Sequence, residues 1–262
     1  MCSRRMQKTM VPNKQPEIVV APDLPTLVET AVKRIAARVA KADSTVAICL
    51  TGGSTPKPIY QRLATKPYRS ELPWHRIHWF WGDERFVPPE DERSNAGMAR
   101  AAFLDRLRIP HANIHPMPTS APNAHEAALQ YEIELKHFYG ADRLDPERPL
   151  FDLVLLGLGS DGHTASLFPG GPALSEEHRW VVGIEQAGLA PFVPRVSLTF
   201  PALAATREMM FLVSGQDKRG VVERVLSGQD LPAARAHAIG HLVWLMDRGA
   251  APEAYPVSSG EI

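Results

Sequence analysis

F-D-L-V-L-L-G-L at Phe151–Leu158 is the most apolar short run in the chain, and G-S-D-G-H-T at Gly159–Thr164 follows it at once. A run this apolar is too greasy for a sheet edge. It predicts a strand buried on both faces near the centre of a sheet. The glycines after it permit an irregular loop. Asp161 and His163 sit on that loop at opposite sides of Gly162.

The rest of the pattern agrees outward from this strand. Ile18–Ala21, Thr45–Leu50, Ile77–Trp81, Trp180–Ile184, Val196–Leu198, Met209–Val213 and Leu242–Met246 read as further strands. Thr26–Ala42 carries apolar residues at Val28, Ala31, Val32, Ile35 and Val39, a helical stripe, with capping-box spacing at Thr26 and Glu29. Pro56–Ala64, Ser94–Leu107, Ala124–Tyr139 and Lys218–Leu226 are the other expected helices. Strands alternating with helices predict an α/β fold: a mainly parallel sheet with helices on both faces. The proline-rich stretches 116–122 and 191–201 read as loops within a domain. Residues 1–16 read as a disordered N-terminal arm and residues 17–262 as a single domain.

The chain has 262 residues, with acidic and basic residues balanced at 29 each. Such neutrality gives no global field toward nucleic acid or an anionic membrane, so any bound anion needs a local cluster. No apolar run approaches membrane-spanning length, and the basic start lacks a signal-peptide core. Cys2 and Cys49 alone form neither a cysteine zinc site nor an expected disulfide. A soluble cytoplasmic protein, monomeric or weakly dimeric, is expected.

Ligands in open α/β sheets bind beyond the carboxyl ends of the strands. Four polar clusters fall there. At L-T-G-G-S-T, Gly52 and Gly53 allow a sharp turn, while Ser54 and Thr55 offer hydroxyls and N–H groups at a helix start, a phosphate cradle. The plainer reading is a tight turn capped by Ser54. At F-W-G-D-E-R-F-V, Asp83, Glu84 and Arg85 follow an aromatic strand. Arg85 suits an anion or a carboxylate, although such triplets are more often solvated charge. On the third loop, His163 suits general base work and Asp161 suits fixing its tautomer. Contact with substrate and capping of a following helix are the other roles open to Asp161. In L-V-S-G-Q-D-K-R, Lys218 at a helix start is unfavourable with the dipole unless an anion is bound. Arg195, ahead of an apolar strand, is a second candidate anion ligand.

Taken together, L-T-G-G-S-T-P, W-G-D-E-R-F-V-P-P, S-N at Ser94–Asn95, G-L-G-S-D-G-H-T-A-S-L-F-P, P-R-V-S-L-T, S-G-Q-D-K and V-W-L-M-D-R-G-A closely resemble the 6-phosphogluconolactonases. The resemblance spans about Ile18 to Ala250. It implies a Rossmann-like fold shared with glucosamine-6-phosphate deaminases and distantly with ribose-5-phosphate isomerases. It implies hydrolysis of a phosphorylated sugar lactone, 6-phospho-D-glucono-1,5-lactone, in the pentose phosphate pathway, without metal or organic cofactor. His163 then looks like the base that activates water, with Asp161 its partner. Gly53, Ser54, Arg195 and Lys218 look like the substrate-gripping set, with Asp83 and Arg85 at the site edge. Two departures from the family pattern are Arg219-Gly220 after the lysine and the charged loop P-P-E-D-E-R at 88–93. The rival expectations are a glucosamine-6-phosphate deaminase or related isomerase, with Asp83 as the base, and a non-catalytic sugar-phosphate sensor.

Overall fold

The computed structural model describes residues 15–258. The predicted arm lies outside them except for its last two residues, and so does Cys2. In chain order the elements are β1 (Glu17–Ala21), α1 (Leu24–Ala40), β2 (Val46–Leu50), α2 (Pro56–Leu63), α3 (Tyr68–Glu71), β3 (Ile77–Trp81), β4 (Asp83–Arg85), α4 (Asn95–Ala102), α5 (Ala124–Tyr139), β5 (Leu153–Leu156), β6 (Val181–Ile184), β7 (Arg195–Leu198), α6 (Phe200–Ala204), β8 (Glu208–Val213), α7 (Arg219–Leu226), α8 (Pro232–Arg235) and β9 (His241–Asp247).

Six strands form one sheet in the order β1-β9-β8-β5-β2-β3. Every pairing in it is parallel. Each residue of β2, β5 and β8 is buried, as strands covered on both faces must be. Helix α1 buries the predicted stripe, including Val28, Ala31, Val32, Ile35 and Val39. Full burial of each large aliphatic side chain contributes about 1.5–3 kcal/mol. The chain steps from β2 to β3 on one side and later returns to β5 on the other. That divergence opens a crevice at the carboxyl ends of β2 and β5, where such folds bind ligands.

Four expectations need correction. The first turn of α1 is capped by Asp23, whose carboxylate accepts the Thr26 N–H at 2.8 Å. Thr26 and Glu29 are not the capping box, because the helix already begins at Leu24 and Thr26 is its third residue, a donor to the cap. The helix predicted over Ser94–Leu107 ends at Ala102 and tightens into a 3₁₀ turn at Leu104–Arg106, with Ser94 as its cap. Lys218 closes a 3₁₀ turn at Gln216–Lys218 and immediately precedes α7.

The fourth correction bears on the site. β6 and β7 do not join the parallel sheet. They form a small antiparallel sheet with β4, in the order β4-β7-β6. The polar triplet Asp83-Glu84-Arg85 is therefore a strand, with Asp83 and Glu84 buried rather than solvated. Gly82 is the joint between the sheets: its N–H donates to Leu50 O at 2.9 Å and its carbonyl accepts from Leu198 N at 2.8 Å. Helix α5 packs on β6 and β7. The small sheet thus forms a wall beside the crevice.

Candidate active site

The loop after β5 holds the histidine. No helix follows this strand; residues 157–169 run as turns, which removes helix capping as a role for Asp161. Asp161 Oδ1 accepts from the His163 backbone N–H at 3.0 Å and lies 2.6 Å from His163 Nδ1. A carboxylate only accepts, so Nδ1 carries the proton and the neutral imidazole has its lone pair on Nε2. Among the described residues Nε2 has no hydrogen-bond partner. Burial pushes the Asp161 carboxyl up, but the hydrogen bonds and charge of His163 outweigh it and hold it below the ordinary range. The ring sits 4.7 Å from the Phe168 ring centroid.

Two glycines make this geometry. A Cβ at Gly159 would lie 2.0 Å from His163 Nδ1, so the imidazole occupies space that only glycine leaves free. Gly162 has φ +88°, in the left-handed region, and the turn between Asp161 and His163 needs it. Ala165 also has positive φ, at 48°. For a residue with a Cβ that costs about 1–2 kcal/mol, and it directs the next residue, Ser166, toward the small sheet. Ser166 Oγ donates to Asp83 Oδ2 at 2.6 Å, and Ser166 N–H to Ser197 Oγ at 3.2 Å.

The turn after β2 forms the opposite wall. Gly53 has φ +108°. Among the described residues, the N–H groups of Gly52, Gly53, Ser54 and Thr55 have no protein acceptor. Ser54 is exposed and does not cap α2. Thr55 Oγ1 lies 2.8 Å from Ser214 Oγ, which ties the turn to the segment after β8. That segment carries Lys218, whose ammonium donates to Leu158 O at 2.9 Å and so reaches the histidine loop.

The small sheet supplies the third wall. Arg85 and Arg195 are direct partners across β4 and β7. Like charges placed directly opposite destabilise a strand pair, and a bound anion would relieve that repulsion. Burial lowers the Arg195 pKa, with Asp83 pulling the other way. Arg195 Nη2 donates to Pro191 O at 2.8 Å, and Nε to Val193 O at 3.2 Å. Arg85 Nη1 donates to Arg93 O at 2.7 Å, while its buried Nε has no partner. The charged loop at 88–93 therefore positions Arg85; within it Asp91 clamps Arg93 through two side-chain hydrogen bonds of 2.6 and 2.8 Å.

Glu84 points away from the cleft. Its carboxylate accepts from the N–H groups of Arg85, Asn95 and Ala96, each at 2.7 Å, and from Ser94 Oγ at 3.1 Å. It holds the start of α4, which satisfies helix donors that lack internal partners. Burial pushes its carboxyl up to about 7, against the pull of those backbone donors.

One cleft gathers nine of the ten expected site residues: Gly52, Gly53, Ser54, Thr55, Asp83, Arg85, His163, Arg195 and Lys218. The tenth, Asp161, sits behind the imidazole and does not line the cleft. Asn95, Ala165 and Ser214 also line it and were not expected as site residues. Asn95 stood in a motif that carried the family resemblance, but nothing in its neighbours suggested a role. Three cations, four free backbone N–H groups and an imidazole with an open nitrogen suit a phosphorylated substrate and a proton transfer. Among the described residues, no three His, Cys, Asp or Glu side chains converge to hold a metal ion. No helix among them is long and apolar enough to cross a membrane.

The family model described as glucosamine-6-phosphate isomerases/6-phosphogluconolactonase matches residues 22–244. A 6-phosphogluconolactonase of Synechocystis is 40% identical over 248 residues, covering 92% of this chain and 99% of that protein. The crystal structure of 6-phosphogluconolactonase from Thermotoga maritima superposes with a TM-score of 0.78 at 32% identity, covering 89% of this chain and all of that one. A monomeric glucosamine-6-phosphate deaminase shares the fold, with a TM-score of 0.74 at 20% identity over 89% of this chain and 98% of its own. The chain belongs to the glucosamine-6-phosphate isomerase/6-phosphogluconolactonase family.

Proposed function

We propose that this protein hydrolyses 6-phospho-D-glucono-1,5-lactone to 6-phospho-D-gluconate with water activated by His163. The observation that carries the reading is the single cleft in which a tautomer-fixed imidazole faces Arg85, Arg195, Lys218 and the open N–H groups of the Gly52–Thr55 turn. Relatives that match about nine-tenths of the chain, from Synechocystis and Streptomyces coelicolor, bear the 6-phosphogluconolactonase name.

The substrate's phosphate docks on the Gly52–Thr55 turn and Lys218, with Arg195 adding charge. That grip sets the lactone carbonyl beside His163. Nε2 takes a proton from water as the water oxygen bonds to C1. The carbonyl oxygen becomes an oxyanion, stabilised by Arg85 or by N–H groups of the histidine loop. The bond from C1 to the ring oxygen then breaks, and His163 returns its proton to that oxygen. Asp161 keeps Nδ1–H in place throughout and stabilises the transient imidazolium. No covalent enzyme intermediate is required, and general acid–base help of about 10²–10⁴-fold suits an ester that also opens in water.

The deaminase alternative would need Asp83 as its base; Asp83 lines the cleft but is buried, and its Oδ2 already accepts from Ser166 Oγ at 2.6 Å. The test is a coupled assay with freshly made lactone, corrected for spontaneous opening, alongside ammonia release from glucosamine 6-phosphate. Lactone turnover without ammonia is expected; ammonia without lactone turnover would reverse the reading.

A further inference from the structure

Asn95 is the first residue of α4 and is only 2% exposed, yet it lines the cleft wall. Its Nδ2 donates to the Asp83 carbonyl at 2.9 Å. A carbonyl can only accept, so this bond fixes the amide's orientation. Its Oδ1 is buried and has no hydrogen-bond partner. An unpartnered buried acceptor is costly, so its placement needs a reason.

The reason lies across the cleft wall at Gly52. A Cβ on Gly52 would fall 1.8 Å from Asn95 Oδ1 and 2.4 Å from its Cγ. The amide therefore lies directly against the Gly52 backbone, in the space any other residue would fill. Asn95 joins two parts of the site, strand β4 and the turn after β2. Its backbone N–H is held by Glu84, its Nδ2 holds the strand carrying Asp83 and Arg85, and its carbonyl face braces the phosphate-type turn. Asp83 in turn is bonded to Ser166 on the histidine loop.

We infer that Asn95 is a positioning residue that sets the Gly52–Thr55 turn at its working distance from His163. This rests on the lactonase reading, in which that turn holds the substrate phosphate. Asn95 touches no reacting atom. Removing it lets the turn shift, so the loss falls mainly on the phosphate's contribution to catalysis.

The test compares the phosphorylated lactone with unphosphorylated glucono-1,5-lactone in wild type and Asn95→Ala, and measures the Kd of inorganic phosphate by calorimetry. The ratio of kcat/KM between the two lactones should fall about 10- to 100-fold, as displacements near 1 Å cost in other sites, and phosphate Kd should rise. Gly52→Ala alone should give the same signature. In the Asn95→Ala background, where the amide no longer fills that space, Gly52→Ala should add little, the coupling expected of two residues that compete for one space. Asn95→Ser serves in place of Asn95→Ala should the latter fail to fold. Equal losses for both lactones, an unchanged phosphate Kd, or full additivity of the two substitutions would each overturn the inference. Lack of lactone turnover by the wild type would count against the reaction itself, and the phosphate Kd and the additivity of the two substitutions in it would still judge Asn95.

Discussion

Two histidines in this protein are built almost alike. His163 Nδ1 lies 2.6 Å from an Asp161 oxygen, and His115 Nδ1 lies 2.7 Å from a Glu134 oxygen. The difference is what meets the second nitrogen. His115 Nε2 is 2.9 Å from His78 Nδ1, and its ring stacks on Phe80 at 4.3 Å between centroids, with the ring planes nearly parallel. His163 Nε2 is open, in a cleft that also holds three cations. A carboxylate-paired imidazole serves as a base only where its free nitrogen faces space that a substrate can enter. The His115 pair has the hydrogen bond without the space, so it is read as part of the fold.

That contrast breaks most visibly at the two rings. His163→Ala should lower kcat by about 10²–10⁴-fold. His115→Ala should leave kcat near that of wild type and lower the unfolding free energy by about 1–3 kcal/mol, read by denaturant titration. Loss of turnover in the His115 variant at unchanged stability would erase the distinction. Asp161→Asn should cost less than His163→Ala, with KM little changed, because the base survives but its tautomer is no longer fixed. Lys218→Ala should raise KM about tenfold, roughly 1.4 kcal/mol of binding, with a smaller effect on kcat.

The smallest effect sharpens the comparison from the structural side. Burial, then the neighbouring His115, pushes the His78 pKa below its ordinary 6.5. A histidine held neutral in the fold binds fewer protons than in the unfolded chain. Its stabilising contribution is present above pH 6.5 and is lost as the pH falls through the lowered value. Thermal midpoints should therefore drop on acidification below pH 6.5, and His78→Phe should flatten that limb. An unchanged acid limb in the variant would assign it to other groups.

The parts of the site legible in the sequence are those specified locally. β5 announces itself by a continuous apolar run, and the loop after it by its glycines around Asp161 and His163. Gly52 and Gly53 mark their turn in the same way. What escaped depends on partners distant in the chain. Asp83-Glu84-Arg85 looks like solvated charge until Asn95 and Ala96 bring their N–H groups to Glu84 and β7 pairs with the strand. Ser94-Asn95 is an ordinary helix start until Gly52 is found beneath the amide. The Thr26–Glu29 spacing suggests Thr26 as the cap of α1, yet the hydrogen bond has Asp23 as acceptor and Thr26 as donor.

The most direct test of His163 as the base is chemical rescue. Imidazole added to His163→Ala should restore part of the lost lactone turnover, beyond what imidazole does to the lactone alone, and should do nothing comparable for Lys218→Ala. Wild-type turnover in His163→Ala without imidazole, or a crippled variant that imidazole cannot assist, would contradict the assignment.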